Sequence, residues 1–313
     1  MRPCRPVTLI RPSRPNAYTG NPLDRAVSLR DDVAWVDARL ADPDSIFVPI
    51  WRGRSLLRGM DAARPEPVFL TGEAAAACRM AGGPWAFLGL LRGVAVFAVD
   101  LSAAEDPIPL LPPGLGSFEE LRRLPGALAP EDASILAHAR GMMHWRNRTL
   151  YCSVCGTACD ARSAGHVMAC PNCGTQHFPR TDPAVIMLAI RDDRCLLGHA
   201  HRFPHSRMYS TLAGFVEPGE SLEEAVAREV FEEAAIRVGR VFYHSSQPWP
   251  FPASLMLGFY AEALTEEITV ETAELQDVRW FSRAQIADPE AHGFSLPGED
   301  SIARRLIEDW LAA

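Results

Sequence analysis

The sequence has no uninterrupted apolar run of about 18 residues, so no membrane-crossing helix is expected. Positive charge is scarce: 31 Lys and Arg stand against 39 Asp and Glu, giving a formal net charge of -8 and a pI near 5.6. Proteins held to nucleic acid mainly through backbone phosphates are usually basic. A general DNA or RNA binder is therefore disfavoured, and only a local basic site remains open. Most of the chain also lacks cysteine, because five of its eight fall between 152 and 173. A disulfide framework would be spread through a short secreted chain. The clustering indicates a metal site in a reducing compartment, and a cytoplasmic location is expected. No internal repeat of fixed period is visible. No acid precedes Asp24, while Arg2, Arg5, Arg11 and Arg14 are present. A targeting peptide has that balance, but Pro3, Pro6, Pro12 and Pro15 would break its amphipathic helix. A flexible tail is the expectation.

What is present is apolar residue, 48% of 313, with 26 Pro and 22 Gly to punctuate it. At roughly 150 residues per domain this suits two domains, or three with one small. The expected division is a strand-rich domain over 1–145, a small metal knot over 146–180 and a third domain over 181–313. Short apolar runs at 33–36, 46–51, 67–70 and 85–99 read as strands. The Pro- and Gly-rich stretch 102–116 cannot be a regular element. A helix is predicted over 130–146, with Pro130 in its first turn and Glu131 and Asp132 complementing its dipole. Beyond 180, strands are predicted at 184–190, 209–213, 240–246, 255–263 and 278–281, with helices at 220–236 and 301–311. Strands mixed with a few helices, without strict alternation, indicate an α+β class.

Cys152-x2-Cys155 and Cys170-x2-Cys173 form two pairs with 14 residues between them. Gly156 and Gly174 follow the second cysteine of each pair and permit a tight knuckle. Four thiolates can then close a tetrahedron around Zn²⁺ with no open position, which makes the metal structural. Cys159 lies off this pattern, and Cys4, Cys78 and Cys195 read as ordinary thiols. Between 151 and 180 the fixed cations are only Arg162 and Arg180, so a scaffold role is favoured over nucleic-acid binding.

The stretch Gly214-Phe-Val-Glu-Pro-Gly-Glu220 is followed, seven residues later, by Arg228-Glu-Val-Phe-Glu-Glu233. Glu229 and Glu233 are four apart and share a helix face, and Glu232 reaches the same edge. Three carboxylates crowded on one turn repel one another unless a hard cation joins them. Oxygen ligands at this density suit Mg²⁺ or Mn²⁺. Arg228 and Glu232 are an i,i+4 pair that can hold the acidic edge. Gly214 and Gly219 let the preceding loop bring backbone groups, including the Ala213 carbonyl, close to the metal.

These residues resemble the Nudix box, Gly-x5-Glu-x7-Arg-Glu-U-x-Glu-Glu-x-Gly-U, where U is a bulky apolar residue. The match runs from Gly214 to Ile236 and departs once, with Ala235 in the Gly position. Ala fits a helix interior, so little effect on metal binding is expected. The segment Ser246-Gln-Pro-Trp-Pro-Phe-Pro-Ala-Ser254 is similar to the sequence marking the NADH pyrophosphatase (NudC-like) subfamily. Its three prolines would hold it extended, with Trp249 and Phe251 as fixed aromatic surfaces. The zinc knot, the Phe178-Pro-Arg-x-Asp-Pro entry and the closing Ala303-Arg-Arg-Leu-Ile-Glu-Asp are also similar.

The resemblance implies a zinc ribbon over 146–180 and a Nudix α/β/α sandwich over 181–313. It implies cleavage of the pyrophosphate bond of NADH or NAD⁺, giving AMP and nicotinamide mononucleotide, and extends to NAD caps at RNA 5′ ends. It assigns Glu229, Glu233 and the Ala213 carbonyl to Mg²⁺ or Mn²⁺, with Glu232 beside them. Glu274 matches the position of a further acid from a later loop, as metal ligand or base. Glu220 is implied to be structural. Gln247, Pro248, Trp249, Pro250, Phe251, Pro252, Ala253 and Ser254 would contact substrate, as would the Ala303 backbone. Phe215 could stack on a base. Phe178 stands where the family often has Tyr and loses only the hydroxyl's hydrogen bond. Family members are homodimers, so Phe178 would act across the subunit interface. Arg202 and Arg207 could form a basic lip for RNA, and His199, His201 and His205 read as a polar loop. Two rivals remain: a general nucleoside-diphosphate hydrolase, and a catalytically weak nucleotide-sensing or RNA-binding module. The 246–254 segment argues against the first; intact Glu229, Glu232, Glu233 and Glu274 argue against the second.

Overall fold

The computed structural model describes residues 10–313 except 62, 63, 82, 125, 202 and 204–206. The chain forms two compact units. One comprises residues 18–181 with 249–253; the other comprises residues up to Ala17 with 182–248 and 254–313.

In the first of these a helix stands where a strand is expected. Helix α1 (Val33–Ala41) begins at Asp32, whose carboxylate accepts a hydrogen bond from Trp35 N at 3.0 Å. That cap satisfies an orphan N–H and turns the apolar run 33–36 into a helical turn. Strands β1 (Ile46–Trp51), β2 (Arg54–Arg58) and β3 (Glu66–Pro67) follow, then helix α2 (Gly72–Met80). Strands β4 (Trp85–Leu91), β5 (Val94–Asp100) and β6 (Ser117–Glu119) complete the sheet, and helix α3 (Pro130–Arg148) covers it. The order is β3-β2-β1-β5-β4, with β6 also pairing with β2; β1 and β5 run parallel, Val48 opposite Ala98. Of the expected strand 67–70 only Pro67 joins the ladder, and Leu70 makes an isolated bridge to Phe47. Beyond Pro67, Val68 N still donates to the Leu56 carbonyl at 2.9 Å. Phe47, Leu56, Phe87, Phe97 and Val99 form a core under Val36 and Ala75. Strands β7 (Asp160–Arg162), β8 (Val167–Ala169) and β9 (Gln176–His177) make a small antiparallel sheet.

The second unit holds β10 (Asp182–Arg191), β11 (Arg194–Ala200), β12 (Leu212–Phe215), helix α4 (Leu222–Ala234), β13 (Val238–Trp249) and β14 (Ser254–Ala263). Strand β15 (Leu275–Ser282) and helices α5 (Arg283–Ala287) and α6 (Ile302–Ala312) follow. The order is β13-β14-β10-β11-β15, with β12 on β10, and β10 parallel to β14. β10 is buried on both faces, as its unbroken apolar run requires. Val185, Met187 and Ala189 face Ala225, Val226 and Val230 of α4; Ile186, Leu188 and Ile190 face Leu306, Ile307 and Trp310 of α6. This is an α/β/α sandwich, and the class is α+β. Tyr209, expected in a strand, packs in the core on Phe281, and β12 starts only at Leu212.

The two six-stranded sheets share one connectivity over five strands, β3 and β12 excepted. A parallel central pair (β1/β5, β10/β14) is flanked by an antiparallel hairpin partner (β2, β11) carrying a later strand (β6, β15). A topological repeat is therefore present although no sequence period announces it.

Residues 13–17 are not a loose tail. Ser13 N donates to Asp309 Oδ2 at 3.2 Å, Asn16 Nδ2 to Ser245 Oγ and the Ser246 carbonyl at 2.9 Å, and Gln247 Nε2 to the Ala17 carbonyl at 3.3 Å. Residues 1–9, with Arg2, Pro3, Cys4, Arg5 and Pro6, lie outside the described residues. Among the described residues no helix is long and apolar enough to cross a membrane.

Candidate active site

The four cysteines meet. Cys152, Cys155, Cys170 and Cys173 bring their sulfurs within 4.8 Å of one another. The closest pairs are 3.4 Å (Cys155–Cys170) and 3.6 Å (Cys152–Cys173, Cys155–Cys173). Zn–S bonds of about 2.3 Å around a tetrahedron put sulfurs about 3.8 Å apart, so the set fits zinc and is too open for disulfides. Two matching turns make it. Gly156 N donates to Cys152 O at 2.9 Å and Gly174 N to Cys170 O at 3.0 Å, and both glycines have φ of +74°. Cys159 stays outside the set.

The acidic helix is assembled around one guanidinium. Ser221 caps α4 in a capping box with Glu224, which starts the helix two residues later than the apolar pattern predicts. Arg228 donates to Glu220 at 2.6 and 2.9 Å, to Glu229 at 2.8 Å, to Glu232 at 2.9 Å and to the Phe215 carbonyl at 2.9 Å. Glu220 is thereby committed to Arg228, whose hydrogen bonds hold its carboxyl down at about 2. Glu229 and Glu233 are buried and Glu232 is exposed. A Cβ on Gly214 would fall 1.9 Å from the Glu229 carboxylate, so only glycine lets β12 and this side chain press together. Burial pushes the Glu229 carboxyl up, Arg228 opposes the rise, and the charges of Glu232 and Glu274 add to it. Glu274 therefore lies near the same edge. Its loop is tethered by Glu271 N to the Glu233 carbonyl at 3.2 Å and by His201 Nε2–H to the Thr272 carbonyl at 3.0 Å. Among the described residues the four sulfurs are the compact set of possible ligands, while Arg228 pairs with Glu229 and with Glu232. Buried and partly exposed carboxylates beside the Ala213–Gly214 backbone are hard donors that fit Mg²⁺ or Mn²⁺.

Ala235 is not in a helix interior. It closes α4 with φ 58°, ψ 18°, a left-handed conformation in which glycine carries no Cβ penalty.

The aromatic segment is not extended throughout. β13 runs to Trp249, and a turn over Trp249–Ala253 leads into β14. Gln247 is fully buried, and its amide is committed to the carbonyls of Ala17 and Asp300 and to Ile302 N. It ties β13 to the start of α6 beside Ala303, which is also buried. Pro248 continues β13 and Ser254 opens β14 opposite Asp182. Trp249 and Phe251 are half-buried, Pro250 is buried and Pro252 exposed. Phe215 is 60% and Phe178 61% exposed, so both rings are open to a partner. Trp249–Ala253 and Phe178 belong to the unit built on residues 18–181. His199 Nδ1 meets the Met208 carbonyl at 2.8 Å. Arg202 and His205 lie outside the described residues; Arg207 is described and exposed.

Sequence reasoning misses the reach of Arg228 to the Phe215 carbonyl, the tether from His201 and the grip on the aromatic turn described below. Each is a contact between distant segments and leaves no local pattern.

An α/β/α sandwich that presses an acidic helix against a strand glycine defines the class, a Nudix hydrolase. Family models agree: "NUDIX domain" matches residues 180–299, "NADH pyrophosphatase zinc ribbon domain" 147–178, and "NADH pyrophosphatase-like rudimentary NUDIX domain" 44–145. The chain is 40% identical over 225 residues to the NAD-capped RNA hydrolase NudC of Stutzerimonas stutzeri (strain A1501), covering 72% of this chain and 76% of that one. It is 42% identical over 198 residues to the NAD-capped RNA hydrolase NUDT12 of Macaca fascicularis (59% and 43% covered). It is 45% identical over 184 residues to the chloroplastic Nudix hydrolase 19 of Arabidopsis thaliana (54% and 42% covered). The chain thus spans under half the length of these last two relatives. It belongs to the NudC-like NADH pyrophosphatase subfamily of the Nudix hydrolases.

Proposed function

We propose that this protein hydrolyses the pyrophosphate bond of NADH and NAD⁺, releasing AMP and nicotinamide mononucleotide, and that it removes NAD caps from RNA 5′ ends. The observation that carries this reading is the Glu229 carboxylate seated on Gly214 at the edge shared with Glu232, Glu233 and Glu274, in a chain related to NAD-capped RNA hydrolases. Glu229, Glu233, Glu232 and the Ala213 carbonyl would hold Mg²⁺ or Mn²⁺. When bound, such ions supply charge neutralisation on phosphate oxygens and a lower pKa for the attacking water.

Water adds to one phosphorus, and the bridging oxygen leaves on the other phosphate. Glu274 offers a carboxylate at the same edge, for the ion or for the proton released by that water. Arg228 orients the acidic edge and Glu220 orients Arg228. The half-buried Trp249 and Phe251 and the open rings of Phe215 and Phe178 offer faces to the bases. Gln247 acts from beneath as a positioning residue. The protein is cytoplasmic and homodimeric in this reading, with domains 1–145, 146–180 and 181–313, a structural Zn²⁺ in the second and Phe178 acting across the subunit interface.

Steady-state hydrolysis of NADH, NAD⁺ and NAD-capped RNA, side by side with Mn²⁺ and with Mg²⁺, tests the reading. Glu233→Gln should abolish turnover while zinc content and fold are kept. Near-normal activity in that variant would refute the metal assignment.

A further inference from the structure

The turn over Trp249–Ala253 is gripped by residues remote in sequence. Arg140, in the middle of α3, donates from Nε to the Pro250 carbonyl at 2.7 Å. Its guanidinium carbon lies 4.9 Å from the centroid of the Phe251 ring. Tyr18 meets both aromatics edge-on, at 5.9 Å from Phe251 and 6.1 Å from Trp249, and those two rings meet each other at 5.1 Å. The turn between β1 and β2 closes on the same guanidinium. A Cβ on Gly53 would lie 2.5 Å from Arg140 Nη1, and φ at Gly53 is +76°, a region that favours glycine. Nη1 is buried without a hydrogen-bond partner. A guanidinium left partly unsatisfied costs stability relative to an apolar side chain of similar length. Packing alone therefore does not account for an arginine at this position.

We propose that Arg140 is a positioning residue for substrate: it fixes the turn from the Pro250 carbonyl and the Phe251 face, so that the Trp249 and Phe251 rings are set before a nucleobase arrives. The inference rests on the reading of those two rings as base-contacting. The reacting phosphorus is not touched by Arg140, so its contribution is uniform binding, which appears in KM and not in kcat.

Arg140→Met keeps the length of the side chain and removes its donors and charge. With Mn²⁺ and NADH the variant should raise KM about tenfold and leave kcat within about twofold, the scale of one charge-assisted hydrogen bond and one ring contact. Arg140→Lys keeps the cation, but a single ammonium cannot donate to Pro250 and lie flat on Phe251 at once. It should raise KM by about threefold, between parent and Met variant. A folded Arg140→Met with the parent KM overturns the proposal, as does a parallel fall of kcat, which a structural role would produce. If Arg140→Met fails to fold, the Lys variant decides: a raised KM with kcat kept supports the proposal, and the parent KM overturns it. Lack of NADH hydrolysis by the parent chain would instead overturn the functional reading and this inference with it, a result visible before any variant is made.

Discussion

Replacing Ala235 with glycine should stabilise the catalytic unit, although the same exchange in a helix normally weakens a protein. Ala235 sits at φ 58°, ψ 18°, with its N–H bonded to the Phe231 carbonyl at 2.7 Å. A residue with a Cβ in that left-handed region carries roughly 1–2 kcal/mol of steric cost, which Ala235→Gly removes. Against this stand roughly 0.4–1 kcal/mol for the freer unfolded chain and about 0.4 kcal/mol for a half-buried methyl. The net expectation is a gain of about 0.5 kcal/mol from these terms. Ala227→Gly, two turns earlier and fully inside α4, serves as the control and should cost about 1 kcal/mol. Urea unfolding of the three proteins should thus show shifts of opposite sign differing by about 1.5 kcal/mol, or about 3–6 °C in melting temperature. If Ala235→Gly destabilises as much as Ala227→Gly, the reasoning from the left-handed cap is wrong.

Other outcomes follow from the same geometry. Gly214→Ala places a methyl within 1.9 Å of the Glu229 carboxylate, and kcat should fall by about 100-fold or more while the fold persists; full activity would remove Gly214 from the site. Cys170→Ser should lose bound zinc and destabilise the chain, because all four thiolates close the site; unchanged zinc by elemental analysis would sink the claim. His166 is buried, accepts at Nδ1 from Arg30 at 3.2 Å and donates from Nε2 to the Phe87 carbonyl at 2.6 Å. Burial, assisted by Arg30, Arg25 and Arg146, lowers its pKa from 6.5 to about 4. The unfolded chain binds that proton first, so stability is full above pH 6.5 and is lost as pH falls toward 4. Between pH 7 and pH 5 the loss should be about 2 kcal/mol by proton linkage. Urea midpoints at the two pH values measure it; His166→Gln should lower the difference by about 2 kcal/mol, with His138 and His244 keeping a remainder of the same sign, and an unchanged difference would refute the assignment.

Legibility in the sequence followed the range of the interaction. The cysteine knuckles, α3 and the face of α4 each rest on residues a few positions apart, and periodicity and spacing exposed them. The apolar run Val-Ala-Trp-Val at 33–36 reads as a strand by itself, and the Asp32 side chain, bonded to Trp35 N, makes it a helical turn instead. Ala235 reads as helix interior because the apolar positions of α4 continue to Ile236, past the residue where the backbone reverses hand. Gln247 looked like part of a binding segment, yet its amide is spent on residues 17, 300 and 302. Nothing within 50 residues of it in the chain reveals that. The same holds for the repeated sheet connectivity, which conserves pairing geometry and not residue type.

The tie between residues 13–17 and the unit that ends at Ala313 has a consequence for synthesis. The earliest described residues complete a fold whose other parts begin at Asp182. Asn16 and Ser245 stand 229 residues apart, so at ordinary elongation rates roughly 11–46 s pass before the ribosome delivers the first partner of this segment. Asn16 must wait that long for Ser245, because the intervening residues 18–181 belong to the other unit. A chain without residues 13–17 would leave Asp309, Ser245 and Gln247 without these hydrogen-bond partners.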